Sequence, residues 1–226
     1  MTKEKMQVKE ILEKLESLSD PRAVKGMAKF GITPKRTYGV SIPVLRKMAR
    51  EIGRDHKLAL QLWDIEIREA RILASMIDEP DLVTEEQMER WVKDFDCWEV
   101  CDQVCQNLFT STRYAYKKAA EWTRREEEFV KRAGFALMAW LAFKDKRADD
   151  SEFEKFFDAI KIQKINSKTA RWIVHFKLIH ACAWCGQHSR CLSCSLHTVA
   201  GPADCRGYVV ELHQELALPV VSRRGI

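Results

Sequence analysis

The sequence has little glycine and little proline, with nine Gly and six Pro in 226 residues. Glycine-rich connections between strands are nearly absent, and this favours an all-α fold. Long apolar runs are also missing: no stretch of about 18 apolar residues exists, which argues against a membrane-spanning helix. A chain of this length forms one large domain or two small ones and can bury a core.

The N-terminal residues do not have the pattern of a secretion signal. Val8, Ile11, Leu12, Leu15 and Leu18 recur at helical spacing after a charged start, which predicts an amphipathic helix. The cytoplasm is therefore the expected location, and the eight cysteines are expected to be reduced there.

Helical periodicity continues to about residue 160, with brief polar connections. Asp20-Pro21 is typical of a helix start, and this helix is predicted to continue through Phe30. Ser41-Ile42-Pro43 starts another helix that ends at Gly53, and Thr84-Glu85-Glu86-Gln87 has capping-box spacing. Further helices are expected near 98–109, 113–123, 126–143 and 151–162. This rhythm predicts a right-curving solenoid of HEAT-like antiparallel helix pairs, with a compact helical bundle as the alternative.

Trp98 and Asp102 form the most informative pair in the chain. Their spacing of four residues places an indole and a carboxylate side by side on one helix face. An aromatic face next to a fixed negative charge suits a flat cation, and the carboxylate can stabilise positive charge in a transition state. A buried Trp followed by a solvated Asp is the structural alternative.

Basic residues are concentrated between Arg113 and Arg147, where ten Lys/Arg outnumber five Asp/Glu. Such a band on helices suits a phosphate backbone, although a solvated face with ordinary ion pairs is an equal alternative. The candidate DNA-binding residues in this band are Arg113, Lys117, Lys118 and Lys131. Three more candidates, Ser41, Arg46 and Lys47, lie outside the band, in the first turns of the helix predicted from Ser41-Ile42-Pro43.

Two other groups of residues are interpreted as packing. Cys97, Cys101 and Cys105 lie along one helix face, and about 12 Å separates the outer two at 1.5 Å per residue, too far for one tetrahedral zinc. A set of four tryptophans on apolar helical stripes is also expected in the core: Trp63, Trp91, Trp122 and Trp140.

Several stretches of the sequence follow one another in a recognisable order. They are Tyr38-Gly39-Val40-Ser41-Ile42-Pro43-Val44-Leu45-Arg46, Glu69-Ala70-Arg71 with Ala74-Ser75-Met76-Ile77, Trp98-x-x-x-Asp102, and Lys131-Arg132-Ala133-Gly134. Together they resemble the AlkD-like DNA alkylation repair family, whose members are HEAT-like DNA glycosylases that remove positively charged N-alkylated purines. The resemblance covers about residues 1–172 and implies an all-α DNA glycosylase domain over that range.

The resemblance also implies a catalytic surface and a substrate. The matching positions are Trp98 and Asp102 on one helix, Arg132 on a later helix, and Trp172 as the nearest candidate for a further Trp. Arg132 would hold a backbone phosphate. The implied substrate is duplex DNA that contains N3- or N7-alkylated purines, and the enzyme would be a monomer that needs no cofactor, no metal and no membrane.

Residues 173–226 form a tail of different composition, with five of the eight cysteines and only three acidic residues. The pairs Cys182/Cys185 and Cys191/Cys194 suggest zinc, but only five residues separate them, where zinc ribbons usually have about 15 to 20. The favoured hypothesis is a shifted reading frame or decayed final helices.

Two other functions remain alternatives to a glycosylase. The first is a helical solenoid that binds DNA without catalysis, for which Asp102 would be unnecessary and would repel phosphate. The second is a protein-interaction solenoid, which predicts no salt-dependent affinity for DNA.

Overall fold

The computed structural model of the protein describes residues 6–145 and residue 148. All regular secondary structure in this part of the chain is helical, and a short 3-10 helix at Phe109–Ser111 separates α7 from α8. None of these helices is long and apolar enough to cross a membrane. In chain order they are α1 (Val8–Ser17), α2 (Pro21–Ala28), α3 (Ile42–Ile52), α4 (His56–Trp63), α5 (Arg68–Ile77), α6 (Glu85–Lys93), α7 (Trp98–Asn107), α8 (Ala115–Trp122) and α9 (Glu128–Lys144).

Local sequence signals explain where several helices begin and end. The Asp20 carboxylate accepts from the first backbone amides of α2, and Thr84 Oγ1 accepts from Gln87 N at 3.1 Å at the start of α6. Gly53 follows α3 with a φ of 85°, a left-handed conformation that favours glycine. α2 ends at Ala28, before the predicted end at Phe30, because Gly31 turns the chain at a φ of 70°.

The helices are arranged as a HEAT-like solenoid, which confirms the predicted architecture. Consecutive helices α4 and α5 pack together, as do α8 and α9, while α3, α5, α7 and α9 contact one another in sequence. Side chains at the start of α5 bond to the start of α7 and to the residue that precedes the α3 N-cap. The N-terminal ends of α3, α5 and α7 therefore lie along one edge of this layer.

The core contains most of the tryptophans that the sequence predicts to be buried. Trp63, Trp91 and Trp122 are fully buried, and the rings of Trp63 and Trp91 stack with their centroids 3.9 Å apart. Stacked rings of this size bury a large apolar area and fix the spacing between α4 and α6. Trp140 differs, because it is only partly buried against the core.

Candidate active site

The structure brings Trp98, Asp102 and Arg132 together. Trp98 is the first residue of α7, Asp102 lies one turn later, and Arg132 lies near the start of the neighbouring helix α9. The Arg132 guanidinium donates from Nε to Asp102 Oδ1 and from Nη2 to Oδ2, each at 3.2 Å. Its Cζ lies 5.4 Å from the centroid of the Trp98 ring. One guanidinium thus binds the carboxylate edge-on and the indole face-on.

Arg132 is buried in this arrangement. Only 6% of its side chain is exposed, against 13% for Asp102, and its Nη1 atom is buried without a hydrogen-bond partner among the described residues. The phosphate-binding role implied by the family resemblance would require an exposed guanidinium. The structure instead shows Arg132 fixing Trp98 and Asp102 relative to each other.

The edge of Trp98 contacts the loop that follows α2. The indole Nε1 donates to the carbonyl oxygen of Phe30 at 3.1 Å, and this bond sets the plane of the ring. The Phe30 side chain is 76% exposed, unusually so for a large aromatic residue. Phe30 was not identified from the sequence as a contact of Trp98. The available signal was its position, because Phe30 is an aromatic residue next to a loop glycine, beyond the end of an amphipathic helix.

Glu69 anchors the segment that leads into α3. Its buried carboxylate accepts from Thr37 Oγ1 at 2.8 Å and from the backbone amides of Tyr38, Gly39 and Val40 at 2.9–3.1 Å. A charged acceptor that binds several amides holds a loop in one conformation. The Glu69-Ala70-Arg71 stretch, recognised only through the resemblance, therefore has a clear structural function at its first residue.

Arg68 connects this loop to the start of α7. Its Nη1 donates to Glu69 Oε1 and to Val40 O, and its Nε donates to Glu99 Oε2 at 2.7 Å. Although burial alone would lower it, hydrogen bonding and attraction to Glu99 and Glu69 raise the pKa of Arg68 above its usual value. Glu99 directly follows Trp98, so this ion network holds the first turn of α7 against the loop.

Lys118 is not on the exposed basic face that the sequence predicts. Its side chain is 3% exposed, and its ammonium lies 2.8 Å from carboxylate oxygens of Glu85, Glu89 and Glu121. Burial opposes the charged form, but hydrogen bonds to these carboxylates raise the pKa of Lys118 above its usual value. The interpretation of Lys118 as a DNA contact is therefore corrected: it is a structural lysine between α6 and α8.

Other cations of the predicted band between residues 113 and 147 also have partners. Lys117 bonds Glu85, Lys131 lies 3.7 Å from Glu126, and Arg125 pairs with two carboxylates. Arg113 lies over the Tyr114 ring. For these members of the band, the ion pairs favour the alternative of a solvated face over a strong phosphate-binding surface.

Lys118→Met is expected to destabilise the fold by about 1–3 kcal/mol, because three carboxylates would lose their buried counterion. The effect depends on pH. Hydrogen bonds from Lys117 and Lys118 lower the pKa of Glu85 to about 2 from 4.5 in the unfolded chain, so its contribution is complete above pH 4.5 and is lost as pH falls toward 2. Urea unfolding of the parent and of Lys118→Met between pH 7 and pH 2 measures the loss in the free energy of unfolding and its dependence on pH.

Lys117→Met is the matched control for this experiment. Its side chain is 54% exposed and bonds the same Glu85, so its effect on stability is expected to be much smaller than that of Lys118→Met. Equal losses in the two variants, or a Lys118→Met loss that persists at pH 2, would contradict the assignment.

The three candidates near α3 are exposed, as a DNA-binding role requires. Ser41 is the N-cap residue of α3, and its side chain makes no capping hydrogen bond. Arg46 and Lys47 lie on the outer surface of the same helix. Their role in DNA binding remains a prediction.

The cysteines of α7 are packing residues, as the sequence predicts. Cys97, Cys101 and Cys105 are buried and not bonded to each other as disulfides. Burial raises the pKa of the Cys97 thiol to about 11, so this thiol is protonated and unreactive at neutral pH.

Some sequence predictions lie outside the described residues. These are the candidate Trp172, the helix near 151–162, the domain boundary at residue 172, and the zinc and reading-frame hypotheses for the tail.

Fold and site together define an all-helical solenoid with an aromatic ring, a carboxylate and a guanidinium clustered between α7 and α9. The family model described as DNA alkylation repair enzyme matches residues 11–176, and the chain belongs to this family. No curated protein matches the chain.

A solved structure shares the fold over most of the chain. It is described as a member of a new family of proteins related to the HEAT-like repeat DNA glycosylases with affinity for branched DNA structures. The match covers 93% of this chain and 83% of that one, with a TM-score of 0.71 and 20% sequence identity.

Proposed function

We propose that this protein is a DNA glycosylase that excises positively charged N3- or N7-alkylated purines from duplex DNA. One observation carries the proposal: a planar cation, the Arg132 guanidinium, lies against both the Trp98 ring and the Asp102 carboxylate. An alkylated purine is also a planar cation. The arrangement therefore has the chemistry that such a base requires.

The proposed reaction needs little acid catalysis. N3- or N7-alkylation gives the purine a full positive charge, which weakens the glycosidic bond and makes the base a good leaving group. As the bond breaks, positive charge develops on the sugar. Asp102 stabilises that charge electrostatically and orients the attacking water, like the second carboxylate of a glycosidase.

In this mechanism Trp98 binds the base and Arg132 positions both other groups. The cationic purine contacts the part of the indole that Arg132 leaves exposed, a contact worth about 0.5–2 kcal/mol depending on desolvation. The two parallel hydrogen bonds from Arg132 fix the plane of the Asp102 carboxylate. The bond from Trp98 Nε1 to Phe30 O fixes the ring in the same way.

A second candidate function is DNA binding without catalysis. It is favoured by the similar solved structure, which is described as having affinity for branched DNA structures. Under this alternative, the Trp98–Asp102–Arg132 cluster would be a structural link between α7 and α9, and no base would be released.

The test compares two duplexes that differ in one methylated guanine. N7-methylguanine is cationic and O6-methylguanine is its neutral isomer, so the pair separates charge from size. Free base released by the full chain is measured by mass spectrometry against the spontaneous rate. We expect release from the N7-methylguanine duplex alone.

Other outcomes of this test would contradict the proposal. Equal release from both duplexes would show that the cation is not what the site recognises. Release from neither, together with salt-dependent binding to duplex or branched DNA, would favour the non-catalytic alternative.

A further inference from the structure

Residues 21–50 contain eight Lys or Arg residues and no Asp or Glu. All eight basic side chains are exposed. They are Arg22, Lys25, Lys29, Lys35, Arg36, Arg46, Lys47 and Arg50. This segment, which comprises α2, the loop after it and most of α3, is called the basic segment below.

None of the eight forms an ion pair with another described residue, in contrast to the predicted band on α8 and α9. There, Lys117, Lys118, Arg125, Lys131 and Arg132 all have carboxylate partners. Exposed cations without carboxylate partners retain their full attraction for an anionic partner, whereas paired cations have largely lost it.

The geometry of α2 suits a surface that contacts another molecule. No residue of α2 is buried, and Arg22, Lys25 and Lys29 recur at spacings of three and four, so they share one helix face. On α3, Arg46 and Arg50 share a face one turn apart, with Lys47 beside Arg46. Each helix thus presents a basic face.

The basic segment is attached to the candidate active site. Phe30 O accepts from Trp98 Nε1 at 3.1 Å, and the Lys35 amide donates to Asp96 Oδ2 at 2.9 Å, two residues before Trp98. In the middle of the segment, Glu69 and Arg68 hold residues 38–40. The loop between α2 and α3 therefore contacts Trp98 directly, and a phosphate bound beside this loop would lie close to the candidate active site.

We propose that the basic segment is the principal surface of this protein for the phosphate backbone of duplex DNA, and that it delivers the backbone to Trp98. The proposal rests on the proposed function for its partner, because a duplex phosphate backbone is the anion that a glycosylase must hold. Each phosphate neutralised by one of these side chains would release counterions.

The test measures how the affinity for a short undamaged duplex depends on salt. One variant combines Lys25→Gln, Lys29→Gln, Arg46→Gln and Lys47→Gln. The matched control combines Arg90→Gln, Lys117→Gln, Arg125→Gln and Lys131→Gln, which removes the same charge from cations that have carboxylate partners. The slope of log K against log salt falls by about 0.9 for each lost phosphate contact. We expect a decrease of about 3–4 in the first variant and less than about 1 in the control.

All substituted residues except Lys131 have exposed or half-exposed side chains, and thermal melting monitored by circular dichroism checks that both variants fold. The double variant Lys25→Gln/Lys29→Gln is the fallback, with an expected slope change of about 2. An equal or larger slope change in the control would overturn the proposal, as would no duplex binding by the parent.

Base release separates this proposal from the proposed function. If the parent releases N7-methylguanine but the first variant binds DNA like the parent, the proposal for the basic segment is wrong and the proposed glycosylase activity is retained. If the duplex affinity of the first variant depends much less on salt but neither protein releases base, the proposal for the basic segment is retained and the protein is a DNA-binding solenoid.

Discussion

Asp102→Asn is expected to lower the single-turnover rate of base release from N7-methylguanine duplex by about 100-fold, the size of effect seen when one preorganised electrostatic group is lost. The variant keeps the shape of the side chain and an oxygen that can accept from Arg132. It removes the negative charge that stabilises the developing sugar cation, and it replaces one of the two oxygens that accept from Arg132 with an NH2 group that cannot accept. Affinity for undamaged duplex is expected to change little, and rates with saturating protein measure the chemical step alone.

Asp96→Asn is the matched control for charge. Asp96 lies just before α7 and accepts from the Lys35 amide, which an asparagine oxygen can also accept. It makes the same change in net charge near the site without touching the cluster. Similar rate losses in Asp96→Asn and Asp102→Asn would show that Asp102 acts only through the general field of the protein.

Glu69→Ala is expected to have the largest effect on stability, about 3–5 kcal/mol. The carboxylate is fully buried and accepts from three backbone amides, Thr37 Oγ1 and Arg68. Alanine would leave these donors without their acceptor and Arg68 without one of its two counterions. The free energy of unfolding from urea titration, followed by circular dichroism, measures the loss.

Two controls separate the lost acceptor from the lost charge. Glu69→Gln keeps one acceptor oxygen, so its loss should be smaller than that of Glu69→Ala. Glu86→Ala removes an exposed carboxylate from α6 and should change stability by no more than about 0.5 kcal/mol. If Glu69→Ala were as mild as Glu86→Ala, the buried network would not be what holds the loop.

The helices could be predicted from the sequence because their signals are local. Asp20, Thr84 and Gly53 act within a few residues, through caps and a left-handed turn. Apolar spacing likewise places Trp63, Trp91 and Trp122 on buried faces. The same local rule puts Trp98 and Asp102 on one face of α7.

Local spacing does not predict interactions between distant residues. The family resemblance placed Arg132 on the same surface as Trp98 and Asp102, but its bonds to the Asp102 carboxylate, 30 residues away, follow only from the packing of α9 on α7. Lys118 reads as an exposed cation until α6 is seen to supply Glu85 and Glu89. Charge counts along the chain cannot distinguish a paired lysine from an unpaired one.

The basic segment is a different case, because its signal was present in the sequence. The absence of acidic residues from 21 to 50 is visible without a structure. The number of basic residues alone favours 113–147, with ten against eight, but five acidic residues in that stretch are available to pair with them. Counting missing acids, as well as present bases, would have identified the segment.

Glycosylase activity is tested most sharply by the stoichiometry of products from an N7-methylguanine duplex incubated with excess full-length protein. Free N7-methylguanine is quantified by mass spectrometry, and abasic sites in the strand by coupling of their aldehyde to a hydroxylamine probe at neutral pH. If the protein is a glycosylase, both products form in equal amounts and well above the spontaneous rate. Duplex binding without either product would rule out this activity and would leave the Trp98–Asp102–Arg132 cluster as a structural link in a DNA-binding solenoid.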